Sequence, residues 1–90
     1  MIKQSSILNK NSKIVAKFGE EELLLFDPML GRLFELNISG KRIWELCDGK
    51  NSIEEITRVL ENEFSDSNEA QIDVPEFLST LLKFRLVEIC

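Results

Sequence analysis

Ninety residues with 43% apolar and 30% charged side chains suit one small folded domain with a modest core, expected to span residues 1–90. No stretch nears the roughly 18 apolar residues of a membrane span and no signal-peptide core opens the chain, so a cytoplasmic protein is expected. Histidine is absent, which removes the commonest general base and metal ligand, and a net charge of −5 opposes binding to nucleic acid or anionic lipid.

Residues 1–12 are polar, offer only Ile7 and Leu8 for burial, and read as a loosely ordered arm with at most one short edge strand. Ile14, Ala16 and Phe18 then alternate with Val15 and Lys17, the period of a first strand. Gly19 and three glutamates make a solvated turn, and the run Leu23-Leu24-Leu25-Phe26 is apolar on both faces, as a middle strand is. Asp27-Pro28-Met29-Leu30-Gly31 is a turn: Asp suits its first position, Pro fixes φ at the second, and Gly accepts a left-handed conformation at the end. Arg32, Leu33, Phe34, Glu35, Leu36 and Asn37 form the third strand, with Phe34 and Leu36 on one face. The three strands predict an antiparallel meander.

From residue 38 the period becomes helical. Ser39 is the expected N-cap of a short first helix that buries Ile43, Leu46 and Cys47, pairs Lys41 with Glu45, and ends at Asp48-Gly49. Trp44 reads as a core anchor. Ser52 and Glu55 form a capping box opening a second helix with a buried stripe of Ile53, Ile56, Leu60 and Phe64 and a Glu54–Arg58 pair. Residues 65–71 read as a loop or a frayed turn. The third helix starts at Asp73 with Pro75 in its first turn, or near Glu69 with a kink at Pro75. Val74, Leu78, Leu81 and Leu82 are its stripe. Arg85 would fall in the middle of that stripe, so the helix is expected to stop before it, leaving Val87 and Ile89 in an extended tail.

The predicted fold is α+β: an N-terminal three-stranded antiparallel sheet packed on a three-helix bundle, winged-helix-like. Phe77 and Phe84 widen the apolar arc of the third helix to about 160°, beyond the roughly 100° that a surface helix needs. Either they deepen the core, or they wall a groove beside the third strand, with Asp73 and Thr80 on its rim. In the groove reading an extended peptide pairs its backbone with the strand edge. No catalytic residue is indicated: the glutamate run is a solvated turn, Cys47 sits on a buried face, and no nucleophile stands near a base. No metal ligands and no cofactor are indicated either. DNA binding fits the winged-helix order, but the third helix carries acids and a single lysine, Lys83.

The order Asp27-Pro28, Gly31-Arg32, Phe34-Glu35-Leu36-Asn37, Gly40, Ile43-Trp44, Asp48-Gly49, Ile56, Asp73-Val74, Phe77-Leu78 and Leu81 resembles the PqqD-like family. These proteins are also called RiPP recognition elements, for ribosomally made and post-translationally modified peptides. The likeness runs from about residue 13 to residue 89. It implies a sheet backed by three helices, into whose groove the leader of a precursor peptide adds as a strand. It implies a domain without catalysis of its own, free-standing here, that hands the peptide to a modifying enzyme: a radical SAM enzyme, a cyclase or a leader protease. Carried over position by position, the peptide-binding residues are Arg32, Leu33, Phe34, Glu35, Leu36, Asn37, Asp73, Phe77, Thr80 and Phe84. The alternative is a protein–protein adaptor of the same fold without a peptide substrate.

Overall fold

The computed structural model describes residue 3, residues 5–64 and residues 73–90. In chain order these form β1 (Ile7–Lys10), β2 (Val15–Phe18), β3 (Leu23–Asp27), β4 (Arg32–Leu36), α1 (Ile38–Leu46), β5 (Asp48–Ser52), α2 (Ile53–Glu63), α3 (Val74–Lys83) and β6 (Val87–Ile89). The loop expected over 65–71 and the alternative helix start near Glu69 fall outside the described residues.

The meander is present as the antiparallel sheet β2-β3-β4, with Lys17 opposite Leu24, Leu25 opposite Phe34, and Asp27 opposite Arg32. Its tight connection works as its residues dictate. Asp27 Oδ1 accepts from the amides of Met29 at 3.0 Å and Leu30 at 3.3 Å, and Gly31 takes φ 65°. Strand alternation sends Leu23, Leu25 and Leu36 into the core. The α+β reading therefore holds, with three helices following the sheet.

A second antiparallel sheet, in the order β5-β1-β6, corrects the expectation of a loose arm. β1 is its central strand: Leu8 lies opposite Ile89 and Lys10 opposite Val87, while Ile7 faces Ser52 on the other side. Leu8 is fully buried. The partners of β1 lie far along the chain, so no local pattern in residues 1–12 announces the strand. The same sheet explains Asp48 and Gly49, which open β5 instead of merely ending a helix. Asp48 Oδ1 accepts from the amides of Lys50 and Asn51, a local turn that starts the strand.

The α1 cap also differs from expectation. Asn37, not Ser39, is the N-cap: its Oδ1 accepts from the Gly40 amide at 2.9 Å and from the Ser39 hydroxyl at 3.0 Å. Ser39 is thereby drawn inside the helix and buried. Ile43, Trp44 and Cys47 pack inward, while Leu46 is half-buried. Lys41 reaches the carbonyl of Gly19 at 2.7 Å, tying α1 to the β2–β3 turn instead of pairing with Glu45. The second helix behaves as read: both halves of the Ser52–Glu55 box form, and Arg58 meets Glu54 at 3.1 Å. Phe64 caps its end and packs against the core half-buried.

Asp73 caps α3 by accepting from the Glu76 amide at 3.1 Å, with Pro75 in the first turn, where a missing N–H costs nothing. The helix ends on hydrogen bonds from the Arg85 amide to the Leu82 carbonyl (3.0 Å) and from the Leu86 amide to the Leu81 carbonyl (2.9 Å). This is a Schellman closure, with Arg85 at the left-handed position (φ 59°) that glycine normally fills. Leu81 and Leu86 are both buried beneath it.

Candidate functional site

Among the described residues β4 pairs with β3 alone, so its other side is an open row of backbone donors and acceptors. Arg32, Phe34 and Leu36 occupy its inner face, and Leu33 and Glu35 point outward, exposed. The helix α3 lies next to that inner face. On α3, Asp73, Phe77, Thr80 and Phe84 recur at steps of four, three and four positions, which sets them on one face.

Contacts at the two ends fix how helix and strand meet. Near the start of α3, Phe77 and Leu36 both crowd Gly40, where an added Cβ would stand 3.0 Å from Phe77 Cζ and 3.1 Å from Leu36 Cβ. Near its end, the rings of Phe84 and Phe34 lie 5.2 Å apart and tilted by 50°. The strand and helix thus run in opposite directions, with two aromatic contacts bracketing the space between them. Phe34, Phe77 and Phe84 are all half-buried: they pack on the core without being sealed into it.

Arg32 closes one end of this arrangement. Its guanidinium lies 5.6 Å from the Phe34 ring and 5.4 Å from the Phe84 ring, so the cation and the two rings form a triangle of mutual contacts. Its Nη2 donates to Asp27 Oδ2 at 3.2 Å and to the Phe84 carbonyl at 3.4 Å. Burial pushes the Asp27 carboxyl up, but hydrogen bonds from Arg32 and from the Met29 and Leu30 amides outweigh it and hold the group below its ordinary value.

The sequence-derived residues therefore fall into three groups. Arg32, Phe34, Leu36, Phe77 and Phe84 meet between β4 and α3. Leu33 and Glu35 lie on the opposite face of the sheet, so only their backbone belongs to the edge. Asn37 and Asp73 spend their side chains on helix caps, and exposed Thr80 returns its hydroxyl to the Glu76 carbonyl at 3.2 Å. Residue reasoning missed Gly40, whose lack of a side chain lets Phe77 come close; a glycine inside a helix was the available signal.

Burial pushes the Cys47 thiol up to about 12, which keeps it protonated. Among the described residues no group of three or more His, Cys, Asp or Glu side chains is placed to hold a metal ion, and no helix is long and apolar enough to cross a membrane.

A family described as coenzyme PQQ synthesis protein D (PqqD) matches residues 22–87, a span that includes β4, α1 and α3. The chain belongs to the PqqD family. Its fold also matches the solved structure of TbiB1 in complex with the TbiA(beta) leader peptide. That match has a TM-score of 0.74 and 28% sequence identity, and it covers 89% of this PqqD-family chain and 94% of TbiB1. No curated protein sequence matches the chain.

Proposed function

We propose that this PqqD-family protein captures the leader of a ribosomal precursor peptide by strand addition and presents it to a modifying enzyme, without catalysis of its own. The observation that carries this reading is the open β4 edge lying beside the half-buried aromatics of α3. A peptide strand there gains backbone hydrogen bonds from β4, while its alternate side chains meet Phe34, Phe77 and Phe84. Family membership and the likeness to TbiB1, a protein solved with a leader peptide, support the same reading. The binding residues are then the backbone from Arg32 to Asn37, the inner side chains of β4, and the face of α3 bearing Asp73, Phe77, Thr80 and Phe84.

The test is an amide chemical-shift titration with a precursor leader peptide. Shifts are expected in residues 32–37 and 73–84, and binding should weaken only slightly with salt, because the contact is apolar and backbone-driven. Shifts confined to α1 and α2 would overturn strand addition. An adaptor without a peptide substrate has a different surface to offer. On the outer face of the sheet Val15, Phe26 and Leu33 lie in one cross-strand row, 57%, 40% and 64% exposed. An adaptor would show its shifts on that row, with a partner protein in place of the peptide.

A further inference from the structure

A pocket of about 290 Å³ lies beside Arg32, between the chain before β2, the β3–β4 turn and the end of α3. Lys13, Arg32 and Arg85 line it together with Asp27, and exposed Met29 and Leu30 form an apolar lip. Three cations against one carboxylate make a locally positive site in a protein of net charge −5. Asp27 is already committed to Arg32 and to two backbone amides. Lys13 and Arg85 are exposed and form no ion pair among the described residues. Arg32 Nε is buried and has no hydrogen-bond partner among the described residues.

The backbone beneath Arg85 adds an independent argument. A left-handed residue at a helix end is ordinarily glycine, yet here it is an arginine at φ 59°. The side-chain amide of Asn11 donates to the Arg85 carbonyl at 2.7 Å and holds this turn against the chain before β2. The fold accepts strain where it sets an arginine at the pocket.

We propose that this pocket is a carboxylate subsite that reads an Asp or Glu side chain of the bound peptide. The inference rests on the peptide-binding reading above. Arg32 supplies the link, since it both contacts the groove rings and lines the pocket. A strand lying along β4 passes Arg32 at one end, so an acidic residue near that end of the peptide enters the pocket. Lys13 and Arg85 then receive it with charge-assisted hydrogen bonds.

The experiment selects binders of the full chain from a displayed library of random peptides and resynthesises them with amidated and with free C-termini. Enrichment of Asp or Glu at one position is expected, and its change to Asn or Gln should weaken amidated peptides about tenfold. The double variant Lys13→Glu, Arg85→Asn changes exposed side chains, and Asn tolerates the left-handed conformation. It should lose the acid preference while still binding the amide-substituted peptide as the wild type does. Selected peptides without acid enrichment, or an acid preference unchanged in the variant, would overturn the subsite. A preference that follows the free C-terminus would overturn side-chain recognition. Failure to select any peptide that shifts the β4 amides would instead count against the groove, and the subsite would fall with it.

Discussion

Asp27 is the residue on which the turn, the strand end and the groove converge. It accepts from the Met29 and Leu30 amides and from Arg32, and these bonds favour its ionised form. A carboxyl held below its ordinary value of 3.8 stabilises the fold above that value, and the contribution disappears as pH falls through the lowered one. Asp27→Asn should therefore lower stability at neutral pH, and the gap to the wild type should close on acidification below about pH 4. Denaturant melts of both proteins at neutral and acidic pH check this. Cys47 offers the opposite case. Its thiol titrates near 12 in the fold against an ordinary 9.0, so stability should decline as pH rises past 9.0. At pH 8 a thiol reagent should modify exposed Cys90 quickly and buried Cys47 only on unfolding. Phe84 distinguishes core from groove. Half-buried, its truncation to Ala should cost about 1–2 kcal/mol of stability, below the roughly 3–5 of a sealed phenylalanine. Leader affinity should fall by about 1–2 kcal/mol, read by calorimetry beside a melt; Phe77→Ala should behave alike. The wide apolar arc of the third helix was visible in the sequence. That its two rings end half-buried against Phe34 and Gly40 was not, because it depends on where α3 lies relative to β4.

At the scale of elements, the helices are set by their caps and stripes. Ser52 with Glu55, and Asp73 with Pro75, place the starts of α2 and α3 from local chemistry that any reader of the chain can follow. The end of α3 combines a legible and an illegible part. An arginine in an apolar stripe must stop the helix before it is buried, but the stop works by a left-handed Arg85. A non-glycine residue there costs about 1–2 kcal/mol, and glycine adds back about 0.5–1 of chain entropy. Arg85→Gly should accordingly raise stability by roughly 0.5–1 kcal/mol, measured by denaturant melts. If the pocket reads acidic side chains, the same change removes part of that preference, a gain in stability set against recognition. The cap of α1 was misplaced by two positions because Asn37 and Ser39 are both good caps. The choice fell to Asn37 because that residue directly follows β4, where the chain must turn from sheet to helix.

At the scale of the molecule, the described residues form two small sheets and three helices around an apolar cluster that includes Leu8, Leu25, Trp44, Ile53, Leu81 and Val87. Its two sheets have different tasks. The β5-β1-β6 sheet ties both ends of the described chain together, and the β2-β3-β4 sheet presents an edge. The sequence by itself determined the meander, the three helices, and the resemblance on which the peptide-binding reading began. Each of these is carried by residues close together in the chain: period-two and helical spacing, a turn of Asp, Pro and Gly, or caps three positions from their partners. Only the tertiary structure decided that the first strand is the centre of a second sheet. It also decided that Phe34 meets Phe84, and that Lys13, Arg32 and Arg85 share one pocket. Those pairings join residues from distant parts of the chain, and no local pattern encodes which distant partner supplies the other half of a hydrogen bond, a ring contact or a charge.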